Sequence, residues 1–468
     1  MVRASRWHIA WLYGVLLSLS YEHPIILVAG MDRASPRLFD IFACLGAVFI
    51  LPTLRGRTRL PSSFWFWGVL VFYFSLCAMF WASFLVPFEY GRFSLFYAFK
   101  YGEGLVVVFI ALCIPLSALQ KRRLMWVITI GGVFVGLYAL HEYFSVSRYR
   151  LIISEEKITY VSKGTLLGPL GYTYLHIASF SSMAFLMTLS LCRQLRGSRR
   201  WLMYGLAMFV MWPTLFCGSR TAVALVALGL PLFFLLRKGV GKTALVLLFV
   251  IGVIGVFVSG KVARPDAIEA DANLTMQRVM AFEDGDAFDD LKHNSVMDRM
   301  LAFQHFDMSS YLWGGVSMPL IGAGFYIAPT EDPYTKERHY RVGYGFHNAY
   351  VFAFEQGGMI AFFLYLSFLF ATYKQLNKMR RSHNMADADF ATGAMAFFVP
   401  MLIVDMTGGI FWLNVGTVNL NMFLLLIFFL ASKSSTPTYT YEHDELMCDL
   451  PHHRASIRRM SRLGVKSI

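Results

Sequence analysis

Long apolar stretches recur along the whole chain, and this pattern leaves few folds open to it. Twelve segments are apolar enough to be bilayer crossings: 8–29, 38–54, 63–86, 97–116, 124–143, 168–192, 200–216, 219–236, 243–259, 346–371, 389–407 and 410–431. A crossing helix needs about 17–25 such residues. In hydrocarbon the backbone has to satisfy its own hydrogen bonds, and a helix does so within each segment. The expected fold class is therefore an all-α polytopic membrane protein with about twelve transmembrane helices and one large extramembrane loop containing helices. Composition agrees: 57% of the residues are hydrophobic and only 15% charged, far from a soluble globular profile. The first apolar run lacks a small-residue cleavage site and is expected to remain as a signal anchor.

Charge sets the expected orientation. Nineteen Lys and Arg residues fall at alternate ends of the spans. They include Arg3 and Arg6, Arg55 to Arg59, Lys121 to Arg123, Arg193 to Arg200, Arg237 to Lys242, and Lys374 to Arg381. Short basic loops stay cytoplasmic, so both termini are expected there. The formal net charge of +13 then reflects loops facing anionic lipid, not a nucleic-acid partner. The six cysteines are Cys44, Cys77, Cys113, Cys192, Cys217 and Cys448, without metal-ligand spacing or a disulfide framework.

Four regions result: residues 1–259 with spans one to nine, a polar insert over 260–345, residues 346–431 with the last three spans, and a tail over 432–468. The insert follows an odd-numbered span and so faces away from the cytoplasm. It holds thirteen acidic against eight basic residues. A helix is expected from about Ser295 to Tyr311, then a tight turn through Gly322 and Gly324, whose missing Cβ atoms let backbone approach a ligand. Residues 329–341 are polar and expected to be mobile. The tail is polar with a basic end, expected to be disordered or to lie on the lipid surface.

Three places facing the insert side could carry chemistry. Ser219 is a good N-cap and sets Arg220 in the first turn of a helix, where the guanidinium and the helix dipole together suit an anion. Arg299 follows Asp298 in the expected insert helix; by itself it reads equally as a solvated charge. His347 opens the helix after the insert, followed by Asn348, by Tyr350 at i+3 and by Glu355 two turns deeper. A neutral histidine there can act as general base, or simply make a structural hydrogen bond at a helix start. Gly357 and Gly358 are expected to allow close helix packing. Glu22 is expected to mark a kink, Lys100 and Glu103 to pair on one helix face, and His176 and Asp405 are polar residues at membrane depth with structural or functional roles open.

These residues resemble a known family. The twelve spans fit it, as do Gly218-Ser219-Arg220-Thr221-Ala222, Asp298-Arg299, Ile321-Gly322-Ala323-Gly324-Phe325, and Phe346-His347-Asn348-Ala349-Tyr350 followed by Glu355-Gln356-Gly357-Gly358. The pattern is similar to the O-antigen ligase and Wzy-type O-antigen and exopolysaccharide polymerase superfamily of membrane glycosyltransferases. The resemblance implies a bacterial inner (cytoplasmic) membrane protein that takes a glycan from an undecaprenyl-diphosphate-linked donor. The glycan goes to an acceptor hydroxyl on the periplasmic side, with no metal or other cofactor and with inversion. Arg220 and Arg299 would hold the donor diphosphate and His347 would activate the acceptor. Ser219, Asn348, Tyr350, Glu355, Gly322 and Gly324 would support them. The acceptor would be a second lipid-linked glycan, for a polymerase, or lipid A-core, for a ligase in lipopolysaccharide biosynthesis. Membrane lipids and a chain-length regulator are further implied partners. Many relatives carry a Pro-Asn pair in the sixth span, where this chain has Gly168 to His176. The large C-terminal domain of the protein-targeting oligosaccharyltransferases is expected to be absent from this chain, which argues against a protein acceptor. A transporter or flippase of lipid-linked glycans remains the alternative from another class, although no internal repeat of the kind common in transporters is evident.

Overall fold

The computed structural model describes residues 5–22, 36–54, 60–84, 88–149, 168–170, 174–217, 220–237, 327–331, 338–342, 349–408 and 418–435. Eleven α-helices lie among the described residues: α1 (Arg6–Ser18), α2 (Leu38–Leu45), α3 (Ser62–Phe84), α4 (Phe88–Cys113), α5 (Ala118–Tyr149), α6 (Tyr174–Cys192), α7 (Ser198–Phe216), α8 (Arg220–Leu235), α9 (Ala349–Arg380), α10 (Met385–Gly408) and α11 (Val418–Ser432). A π-helical turn (Gly46–Ile50) and a 3-10 turn (Leu51–Thr53) extend α2. Among the described residues, three helical stretches are long and apolar enough to cross a membrane: Ala118–Glu142, Gly357–Arg380 and Met385–Met406. The expected span over 243–259 and the expected insert helix lie outside the described residues, as does most of the tail.

Two expectations change. The first apolar run was expected to be helical to residue 29, but α1 ends at Ser18 and a turn follows. Ser18 and Ser20 donate to the carbonyls of Val15 and Leu17 at 2.7 and 2.6 Å, so their hydroxyls supply the partners that close the helix early. Within 329–341, where an all-α fold gave no strand, lies part of an antiparallel hairpin, β1 (Ile327–Glu331) with β2 (Arg338–Val342), in register Ile327↔Val342 to Glu331↔Arg338. The β-branched and aromatic residues Ile327, Thr330, Tyr340 and Val342 favour this pairing over irregular chain.

The bundle core is built around α6 and α11. A helix apolar on all sides belongs in the interior, and α11 is buried continuously from Asn419 to Ala431. On α6 three of the polar residues that would oppose burial bond back to their own helix: Ser182 to Ala178 O and Thr188 to Ala184 O, each at 2.7 Å, and Ser190 to Leu186 O at 3.0 Å. Thr188 also meets Thr129 of α5 at 3.0 Å. Around this pair, α5, α7, α8 and α10 pack on α6, while α4, α9 and α10 pack on α11. The outward faces are apolar, with Phe72, Phe363 and Phe370 exposed, as suits lipid contact.

Chain direction gives the bundle two distinct ends. At one, which we call the basic end, α2, α4, α6, α8, α9 and α11 all finish. Helix C-termini leave carbonyls without intrahelical partners and carry partial negative charge. The cations meet this need directly. Lys433 donates to Leu112 O and Ile114 O at 2.5 and 2.8 Å. Arg237 donates to Leu189 O, and Arg380 to Leu236 O, each at 3.1 Å. Lys121 and Asp387 form a buried ion pair at 2.7 Å, and Arg193 reaches Asp389 at 3.1 Å. The basic bias read from sequence therefore has an internal role at the helix ends. At the other, insert end begin α2, α4, α6, α8, α9 and α11.

Candidate functional site

The helices that carry the motif residues converge in direction. Arg220 is the first residue of α8, and His347 precedes the first residue of α9, Ala349, by two positions. Both helices start at the insert end. Both pack against α10. A Cβ built on Gly229 of α8 would stand 2.9 Å from Ala396 O of α10. Tyr350 of α9 donates its hydroxyl to Leu402 O of α10 at 2.9 Å. Tyr350 is thus held by a backbone carbonyl and by Tyr365, whose ring centroid is 5.9 Å away. Two helix N-termini at one end of the bundle concentrate unpaired N–H groups and positive dipole ends there.

Ser219, Arg299, Gly322, Gly324, His347 and Asn348 lie outside the described residues. Glu355 falls on α9, and nothing further is described for its side chain. Three residues on, Gly358 has φ 65° and ψ −166°, and α9 kinks there. A positive φ is open to glycine at little cost. The Gly357-Gly358 pair was expected to serve close packing, and a Cβ built on Gly357 would stand 3.8 and 3.9 Å from the rings of Phe74 and Tyr73 of α3. Gly358 instead sets a bend between the first two turns of α9 and its long apolar remainder.

A second polar centre at the insert end was only partly visible from sequence. Glu22, just past α1, accepts from Arg37 at 2.7 Å through Oε1. Its Oε2 lies 3.5 Å from His176 Nδ1 on α6. The backbone N–H of Glu22 donates to Pro169 O at 2.8 Å, and that of Gly168 to Glu142 on α5 at 2.7 Å. From Arg37 the chain of contacts continues: its N–H donates to Asp40 at 2.9 Å, Asp40 pairs with Lys100 at 2.6 Å, and Lys100 with Glu103 at 3.0 Å. The expected Lys100–Glu103 pairing is present, and Glu22, expected at a kink or in a structural polar contact, is an ion-pair partner. Arg37 and Glu142 were not singled out in advance. One signal could have found Arg37: it is a basic residue at the end of the bundle where basic residues are otherwise few. Glu22 and His176 are almost wholly buried, and polar groups at such depth persist when paired or used.

Asp405 is buried on α10, one turn beyond Leu402. Among the described residues no group of three or more His, Cys, Asp or Glu side chains is arranged to hold a metal ion. No family model matches the chain, and no curated protein sequence matches it.

Proposed function

We propose that this protein is a membrane glycosyltransferase of the O-antigen ligase and Wzy polymerase type, working in the bacterial inner membrane with both termini cytoplasmic. It takes a glycan from an undecaprenyl-diphosphate-linked donor and delivers it to an acceptor hydroxyl at the insert end, the periplasmic side. A second lipid-linked glycan is the favoured acceptor, which makes the enzyme an O-antigen or exopolysaccharide polymerase; lipid A-core would make it a ligase. One structural observation carries most weight. The helices that begin with Arg220 and just after His347 start at the same end, and both pack on α10. An anion-binding helix start and a general base belong together in this chemistry.

In the proposed reaction Arg220 and Arg299 bind the donor diphosphate, whose charge grows as the sugar–oxygen bond breaks. Guanidinium groups suit that task through charge-assisted, bidentate hydrogen bonds. His347 takes the proton from the acceptor hydroxyl as its oxygen attacks the anomeric carbon from the opposite face, inverting it.

The test uses purified protein in nanodiscs, a lipid-linked donor and a defined acceptor, with donor binding and product measured separately. His347→Ala should lower turnover by roughly 10²–10⁴-fold with donor binding retained. Arg220→Ala and Arg299→Ala should lose both, and Lys should rescue them only in part because it lacks the planar fork. Wild-type turnover in the His347 variant would remove that residue from the mechanism. Replacing lipid-linked acceptor by lipid A-core in the same assay separates polymerase from ligase.

A further inference from the structure

Among the described residues, His176 Nε2, Ser179 Oγ and Asn419 Nδ2 are buried polar atoms near the insert end without a hydrogen-bond partner. Their side chains are almost fully buried, at 0%, 0% and 4% exposure. They belong to two helices that run side by side in the same direction. Phe180 of α6 stacks on Phe423 of α11, with ring centroids 4.2 Å apart and planes 26° apart. One turn back toward the insert end from each ring stand His176 and Asn419, four residues earlier on their own helices. They therefore occupy the layer directly above the stack. Ser179 lies at i+3 from His176, on the same face. We propose that these three side chains form a buried binding site for a single hydroxyl group, supplied by water or by a sugar of the lipid-linked glycan.

The donor and acceptor pattern selects that ligand. His176 Nδ1 faces two acceptors, Glu22 Oε2 at 3.5 Å and Leu170 O at 3.4 Å. A proton on Nδ1 serves both, and Nε2 then presents a lone pair. Arg37 at 2.7 Å fixes the other oxygen of Glu22, so the carboxylate can orient the ring. Asn419 offers an N–H donor, and the Ser179 hydroxyl can give or take. The missing partner must donate to one atom and accept from another. A hydroxyl does both. A carbonyl cannot donate, an ammonium cannot accept, and an apolar group can do neither. Buried polar atoms left unmet are rare in native proteins, and small polar gaps in cores hold bound water. His176 is the third residue of α6 and Asn419 the second of α11, so the site lies near the end where the proposed glycan transfer takes place. The sugar as the source rests on the proposed function; water does not.

The experiment is a water-resolving map of the protein in lipid nanodiscs, without and with an undecaprenyl-diphosphate-linked glycan. A single peak within hydrogen-bond distance of His176 Nε2 and Asn419 Nδ2 in the donor-free map is expected, and identifies water. Replacement of that peak by sugar density in the second map identifies the glycan as a ligand. An empty gap in both maps overturns the site. Melting temperature supplies an independent readout without donor. Asn419→Leu and Ser179→Ala should each melt several degrees below wild type, because each removes a hydrogen bond to the bound hydroxyl. If the gap is empty, removing an unmet polar atom leaves stability unchanged or higher, and that outcome also overturns the proposal. A protein that never binds the donor but keeps the water peak and the lowered melting points refutes the glycosyltransferase reading and leaves the site standing.

Discussion

Lys121 of α5 and Asp387 of α10 meet at 2.7 Å with side chains 0% and 2% exposed, a buried ion pair that ties two helices distant in sequence at the basic end. Asp387 also accepts from Ser435 N–H at 3.0 Å and Ser435 Oγ at 2.6 Å, and Lys121 donates to Lys433 O. The pair thus gathers α5, α10 and the residues just after α11.

Removing one member leaves the other charge buried without its partner, which costs about 3–5 kcal/mol, whereas replacing both by apolar groups can be nearly neutral. Lys121→Met should lower the melting temperature in detergent markedly. The double variant Lys121→Met, Asp387→Leu should recover part of that loss, short of full recovery because Ser435 loses its acceptor. A double variant whose loss equals the sum of the two single losses would show that the pair is not coupled.

Gly229 sets how closely α8 approaches α10. Pro400 has no N–H, so the carbonyl of Ala396, four residues before it, lacks its usual helical donor, and the Gly229 backbone packs against that carbonyl. In an exposed helix Gly→Ala gains about 0.5–1 kcal/mol. Here the new Cβ would come within 2.9 Å of Ala396 O, backbone that cannot swing aside. Gly229→Ala should therefore destabilise, by about 1–3 kcal/mol as for other overpacked sites, and should shift the α8 start that carries Arg220. Thermal unfolding of the purified variant decides the sign; a stabilised protein would mean the helices separate without cost.

Lys433 makes stability depend on pH. Burial pushes its ammonium down to about 8 from the ordinary 10.5; Cys113 opposes the fall and the Lys121 charge adds to it. The unfolded chain therefore binds the extra proton between about pH 8 and 10.5, so stability rises with pH across that window. The gain is complete above 10.5 and is lost as pH falls through 8. Melting curves from pH 7.5 to 10 should show a rising difference between wild type and Lys433→Met. Parallel curves for the two proteins would exclude the effect.

Orientation is open to direct labelling. With the six native cysteines replaced, Gly285→Cys in the insert should react with an impermeant thiol reagent in intact spheroplasts. Thr440→Cys in the tail should react only after lysis. The reverse pattern would invert the proposed topology.

Much of this architecture was legible in the chain itself. Apolar length announced helices, and Lys and Arg marked one end, because burial and helix termini act on each segment locally. Lys100 and Glu103 could be paired in advance since i,i+3 spacing alone brings them together. The short α1 was missed because Ser18 and Ser20 stop a helix whose apolar composition would continue it. The motif residues Arg299 and His347 belong to segments outside the described residues, so their roles still rest on the pattern in the sequence.

The sequence by itself determined that the chain forms apolar helices able to cross a membrane, with one polar stretch between them and basic residues gathered at one end, because those properties depend on composition and spacing within single segments. Only the tertiary structure decided that Glu22, Arg37 and His176 form one centre. It also decided that α6 and α11 lie at the core, that Gly229 admits α10, and that Lys433 closes the end of α4. Each of these joins residues from different helices. No periodicity within a segment reports which neighbour it will meet, and that choice is made by packing, where side chains of separate helices compete for the same buried space.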